Sequence, residues 1–327
     1  MRTRTVSKRF RAHGENWTKV KGEMSITNLW SLQGQLFVLL AVGAALRHFK
    51  ILGESSKGVL TDLVLYVTLP CSIILSFQIE LSSDLFITFA LVLAVSLAIQ
   101  LFSLLLSRTL FSKTEESKAK VLRYGILISN AGFIGLPIAG ELFGPLGYMY
   151  ASIYLIPQRV MMWSAGLAIF NTEHVSRGEA VRKVLLHPCM VAVYIGLVLM
   201  ITQLRIPVFL SQTLSSLGGS TTALSMLLIG GLFTEMDREH MRLDANLVFY
   251  SIIRLVLIPL VTLIACRLLA IDPLVSAVSV ILAAMPGGSS TVILASKYGG
   301  DSVYATKLVI LSTALSLLSI PVWGMVL

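Results

Sequence analysis

The chain has 327 residues, of which 55% are hydrophobic and 13% charged, and its mean hydropathy is +0.82. A soluble domain carries about 25% charged residues, so the composition excludes an ordinary globular protein and places the chain in the lipid bilayer. The formal charge of +9 would point to nucleic acid in a soluble protein; here it reads as Lys and Arg on cytoplasmic loops, and no nucleic-acid partner is expected. Cys71, Cys189 and Cys266 all fall in apolar segments without metal-ligand spacing. They read as small buried residues, and neither a metal nor a cofactor is expected.

Taken in order, the chain opens on a basic extension over 1–23, with Arg2, Arg4, Lys8, Arg9, Arg11, Lys19 and Lys21 against Glu15 and Glu23. A bilayer span needs about 20 mostly apolar residues. Ten stretches qualify, near 31–47, 58–77, 85–107, 122–142, 146–170, 188–204, 207–233, 246–268, 274–296 and 302–326. The seventh is the weakest, because Ser, Thr and Gly fill its middle from Ser215 to Thr222.

The loops between these stretches alternate in charge. The odd loops hold Arg47, Lys50 and Lys57; Arg108, Lys113, Lys118, Lys120 and Arg123; Arg177, Arg182 and Lys183; Arg238 and Arg242; and Lys297. The even loops hold only Arg205 and Arg267. The positive-inside rule makes the odd loops cytoplasmic and sets both termini on the non-cytoplasmic side. The basic extension conflicts with that orientation. Three readings fit: translation starting at Met24, a tail overridden by the loop charges, or a cleaved signal peptide over 1–45 with Ala44-Ala45 near the cut.

Two of the stretches are interrupted. The fourth contains Ser129-Asn130-Ala131-Gly132-Phe133-Ile134-Gly135-Leu136-Pro137 and the ninth contains Met285-Pro286-Gly287-Gly288-Ser289-Ser290-Thr291. Gly and Pro at membrane depth leave backbone groups unpaired, which is tolerated only where the gap is buried in protein or lines a polar cavity. Two such breaks at corresponding places in two halves point to a transporter's binding site.

Ten spans divide into five and five. An odd number per half inverts the second half relative to the first, giving an inverted repeat over 24–171 and 188–327 joined by a short cytoplasmic link at 172–187. Local similarity supports it: Phe143-Gly144 followed by Tyr150-Ala151-Ser152 parallels Tyr298-Gly299 followed by Tyr304-Ala305-Thr306.

A broken helix offers an N-terminal half-helix end with free N–H groups and partial positive charge, which suits a carboxylate. Pro137 and Pro286 each precede such a half-helix. Gly132, Gly287 and Gly288 allow close approach of the backbone, Ser289 adds a hydroxyl, and Asn130 can both donate and accept. Ionisable residues inside spans are suspects by default. Arg159, beside Gln158, could attract an anion; Arg254 lies in the eighth span; and Glu141, Asp301 and Lys307 are candidates for proton or ion coupling. The coupling ion is open between a proton and sodium. The chain has no HExxH, no GxSxG and no phosphate loop, and its five His are scattered, so an enzyme is not expected.

Together, Asn130 to Pro137, Phe143-Gly144 with Tyr150-Ala151, Leu69-Pro70, Leu217 to Thr222, Met285-Pro286 and Pro321 resemble the auxin efflux carrier family, which includes bacterial permeases assigned to malate. The resemblance covers about Met24 to Leu327. It implies an all-α integral membrane fold of ten helices in two inverted five-helix repeats, crossing where helices 4 and 9 break. It also implies an elevator-like motion of one bundle against a scaffold, a homodimer through that scaffold, and a place in the cell's inner membrane. The expected function is secondary transport of a small organic anion; the alternative is a passive channel or a sensor of the same fold. One departure is Ala223, where the family pattern has Pro after Thr221-Thr222, which predicts a less kinked seventh helix.

Overall fold

The computed structural model describes residues 26–79, 83–170, 177–233, 244–298 and 300–327; the basic extension, the start of the 172–187 link and Arg238 and Arg242 lie outside them. The described residues are helical almost throughout: α1 (Ile26–His48), α2 (Gly58–Ser76), α3 (Ser83–Thr109), α4 (Glu116–Leu127), α5 (Leu136–Met161), α6 (Arg177–Leu185), α7 (Pro188–Thr202), α8 (Val208–Gly219), α9 (Thr221–Phe233), α10 (Ala245–Leu268), α11 (Pro273–Ala283), α12 (Ser290–Lys297) and α13 (Ser302–Val326). Within them, α2, α10, α13 and Leu85–Thr109 of α3 are each long and apolar enough to cross a membrane, and Ala131–Met161 with Ser164–Phe170 makes a fifth as a bent pair. Large apolar side chains such as Phe37, Leu105 and Val198 face outward, as lipid contact requires. The chain is therefore a multi-pass membrane protein.

Prolines explain much of the local geometry. A proline inside a helix removes one hydrogen bond and presses its ring on the preceding turn. Here three wider π turns, Val64–Thr68, Ala131–Gly135 and Ile253–Leu257, run directly into Leu69-Pro70, Leu136-Pro137 and Ile258-Pro259. The extra residue in each turn takes up the misfit without ending the helix. Inside α5 the backbone leaves helical geometry at Gly144 (φ 66°, ψ −162°), just before Pro145. That left-handed φ strains any residue with a Cβ.

The seventh stretch forms two helices. It is interrupted at Ser220, between α8 and α9, although no proline follows Thr221-Thr222. Beside the interruption, Gly218 sits so close to α2 that a Cβ there would meet Ser72 Oγ at 2.5 Å and the Ser72 backbone nitrogen at 3.1 Å.

The helices group by contact. α1 packs on α9, and α2 packs on α7 and α8. At the α1–α9 seam a Cβ on Gly43 would run into the Leu227 backbone and one on Gly230 into the Leu40 carbonyl, the small-residue route to close helix approach in lipid. The second group gathers α3, α4, α5, α10, α11, α12 and α13, with α11 at its centre and every residue from Val275 to Ala283 buried. The groups meet where α2 touches α5, α13 touches α1, and α9 touches the turn Ala131–Gly135.

Candidate functional site

Both breaks lie in the second group and face each other. Ser129 and Gly287 pair as a one-residue antiparallel bridge. The Asn130 N–H donates to Pro286 O (2.8 Å), and the Gly288 N–H donates to Ile128 O (3.1 Å). Each break thus satisfies the other's backbone, which answers how unwound chain survives at membrane depth. Side chains add to the pairing: Asn130 Nδ2 donates to Ser289 Oγ (3.2 Å), and the Gly287 N–H donates to Ser312 Oγ on α13 (3.1 Å).

Gly287 is packed on its other side. A Cβ there would fall 2.6 Å from both the Tyr250 hydroxyl oxygen and Leu308 Cδ2. We expect Gly287→Ala to destabilise the protein by about 1–3 kcal/mol through overpacking, read as a lower melting temperature of the purified protein. An unchanged melt would show that Tyr250 can yield.

On the opposite face of this pairing are the C-terminal ends of α4 and α11. Here Arg254, 3% exposed, donates from Nε to Met285 O (2.9 Å) and from Nη1 to Ile126 O (3.4 Å). Tyr250 Oη donates to Gly125 O (3.2 Å) beside it. Helix C-terminal ends carry partial negative charge and unpaired carbonyls, and one guanidinium serves both. The mid-span arginine at 254 carried the only sequence signal of this arrangement.

The other face opens on a cavity of about 540 Å³, whose lining includes Asn130, Gly132, Gln158, Arg159, Gly288 and Ser289. Gly132 faces open space: a Cβ added there would have no other atom within 4 Å. Gln158 is held by Ser129 twice: Ser129 Oγ donates to its Oε1 (3.0 Å), and its Nε2 donates to Ser129 O (2.8 Å). Arg159 is 8% exposed and lies against the Cys189 thiol, yet its Nη1 has no hydrogen-bond partner among the described residues. Among the described residues no Asp or Glu lines this cavity, while His187 does. A buried cation, amide and hydroxyl donors and the N-terminal end of α12 converge on one space, which is chemically suited to an anion.

The remaining sequence candidates lie elsewhere. Pro286 and Gly287 belong to the bridge and do not line the cavity. Pro137 and Glu141 line a second cavity of about 400 Å³, with Ser72, Tyr148, Gly218 and Thr221. Asp301 caps α13 by accepting the Tyr304 N–H (2.8 Å). Near it, Tyr304 Oη donates to Asp244 Oδ2 (2.7 Å), and Lys118 Nζ lies 5.9 Å from the centre of the Tyr304 ring. Burial works against the Asp244 charge, but the Tyr304 hydroxyl and the Asn246 amide outweigh it and hold the carboxyl below its ordinary range. Lys307, on α13, lines neither cavity. His187 and the pairing of Ser129 with Gln158 were missed in the sequence, where neither stands in a motif.

Residues 34–324 match the model of a family described as "Membrane transport protein". A protein of Methanothermobacter thermautotrophicus named "Uncharacterized transporter" is 28% identical over 299 residues, covering 89% of this chain and 96% of that protein. A transporter of Methanocaldococcus jannaschii with a similar name is 23% identical over 301 residues, with the same coverage of each chain.

Proposed function

The chain belongs to the membrane transport protein family, that of the auxin efflux carriers, and from that premise we propose that it is a secondary carrier of small organic anions such as carboxylates. One observation carries the substrate class. Among the described residues, the Arg159 guanidinium is buried in a cavity that no Asp or Glu lines, and its Nη1 has no partner. Isolated charge in a low-dielectric space is costly, and a bound anion would compensate it. Asn130, Gly132, Gly288 and Ser289 supply the neutral contacts.

In this reading the chain spans the bilayer ten times as two inverted halves, with both termini on the non-cytoplasmic side of the inner membrane. The basic odd loops support a cytoplasmic position for the larger cavity, because Thr61, Met162, His187 and Ile293 of its lining lie toward odd loops. The smaller cavity, with Pro137 and Glu141, lies on the other side of the crossing breaks. Two vestibules divided by one paired break support alternating access. The separate packing of α1, α2, α7, α8 and α9 supports an elevator motion against them, and a homodimer through that group.

The test is saturable counterflow of labelled carboxylates and amphipathic weak acids in proteoliposomes. A passive pore gives flux without counterflow, and no flux across the panel would sink the anion reading. Asn130→Ala should cut transport about tenfold or more while sparing folded yield, because its N–H bond to Pro286 O survives the substitution and only the side-chain contacts go. Equal losses of yield and transport would make Asn130 structural.

A further inference from the structure

The anion cavity holds a titratable group outside the expected coupling set. His187 lines it at the start of α7, at the end of the link. Its Nδ1 accepts the Cys189 N–H at 3.3 Å and so caps the helix. That bond requires a lone pair on Nδ1, which makes the ring neutral with its proton on Nε2. Adding a proton would turn the acceptor into a donor, undo the cap and put positive charge at a helix N-terminus. Arg159 lines the same cavity.

We infer that His187 is the proton site of this carrier, taking up a proton together with the anion. The inference rests on the anion reading of the cavity. In the free protein, burial first and the Arg159 charge second push the imidazole down from 6.5 to about 3. Burial stays when an anion binds, but an anion held by Arg159 cancels the second cause and adds an attraction of its own, so the complex holds a proton more readily than the free protein. By linkage, the proton must then tighten the anion to the same degree.

Among the described residues, Arg159 is the charged group that acts on His187. On α2, Asp62 is exposed and does not line the cavity; on α6, Glu179 and Arg182 are exposed; on α7 the neighbour is the Cys189 thiol. α9 contributes Leu228, and α12 contributes Ser290, Val292 and Ile293. Glu141, Asp301 and Lys307 line no part of this cavity.

The sign follows from the two states. A group held low in the free protein and raised in the complex makes anion affinity rise as pH falls through the bound-state value toward the free-state one. If the anion lifts the imidazole to about one unit below its ordinary value, Kd falls about fourfold between pH 7 and pH 5.

Calorimetry on the purified full chain with malate, succinate and phenylacetate, in two buffers of different ionisation enthalpy, counts the protons directly. The key variant is His187→Asn, which can still cap α7 but cannot titrate; His187→Ser is the second such variant, and melting curves report folding. The wild type should take up more protons per anion at pH 5 than either variant, and only the wild type should show the fourfold change after correction for protonation of the anion itself, which is common to all three. Equal proton counts in wild type and variants would overturn the inference and leave His187 a helix cap. Absence of anion binding to the wild type would overturn the anion reading itself, and this inference with it.

Discussion

Replacing Arg254 with methionine is expected to lower the melting temperature by about 5–10 °C and to cut folded yield sharply. The guanidinium donates to Met285 O and Ile126 O, and both carbonyls stay behind when it leaves. Each buried carbonyl without a donor costs about 1–3 kcal/mol, and the bilayer core offers no water in exchange. The partial negative charges at the C-terminal ends of α4 and α11 lose their compensation as well, an effect of up to about 2 kcal/mol. Against this, methionine relieves the desolvation of a cation. Removing a complete buried ion pair can come out neutral for that reason, but here the partners are backbone and cannot be removed. A net loss of about 2–4 kcal/mol follows from these opposing effects. Arg254→Lys should fall between, because one ammonium keeps the charge but cannot reproduce the planar two-armed reach. A methionine variant that melts like the wild type would show that the breaks hold together through Asn130, Gly288 and Ser312 alone.

Replacing Arg159 with alanine is expected to do the reverse: raise KM for anions about 10- to 100-fold while leaving folded yield near wild type. A hydrogen bond to a charged group is worth about 1.5–3 kcal/mol, and 1.4 kcal/mol is about tenfold in affinity. The fold should tolerate the loss, because Nη1 bonds to nothing among the described residues and no carbonyl is orphaned at that atom. Counterflow KM and detergent-extracted yield, measured on the same preparation, decide the matter. Parallel loss of both would mean that Arg159 braces α5 against α7 through Cys189 and does not meet the substrate. Arg159→Lys should recover part of the affinity for a carboxylate through charge alone.

These two arginines show where sequence reading reaches and where it stops. Each sits in an apolar stretch, and each is a functional suspect on that ground. Pattern gives no means of telling the clamp from the ligand group, because the difference is whether carbonyls of a distant segment lie within reach. Arg254 meets Ile126 and Met285 only because the breaks, about 150 residues apart, cross beside α10. The same holds for the prolines. Pro137 and Pro286 look equivalent in the chain, yet Pro137 lines the smaller cavity while the Pro286 carbonyl is spent on Asn130. The interruption at Ser220 was hidden for a related reason. The Ser, Thr and Gly run from Ser215 to Thr222 weakens the stretch locally, but the close approach of Gly218 to Ser72 is a property of two helices.

The sequence by itself determined that this is a multi-pass helical membrane protein of a transport family, interrupted at two Gly- and Pro-rich runs. The membrane class and the interruptions follow from hydropathy, chain length per span and the backbone chemistry of Gly and Pro, all of which are local, while the family rests on resemblance. Only the tertiary structure decided that the interruptions pair with each other and that one face is closed by Arg254 while the other opens on Arg159 and His187. Hydrogen bonds and charge compensation between segments depend on distance in space, and no local pattern encodes that distance.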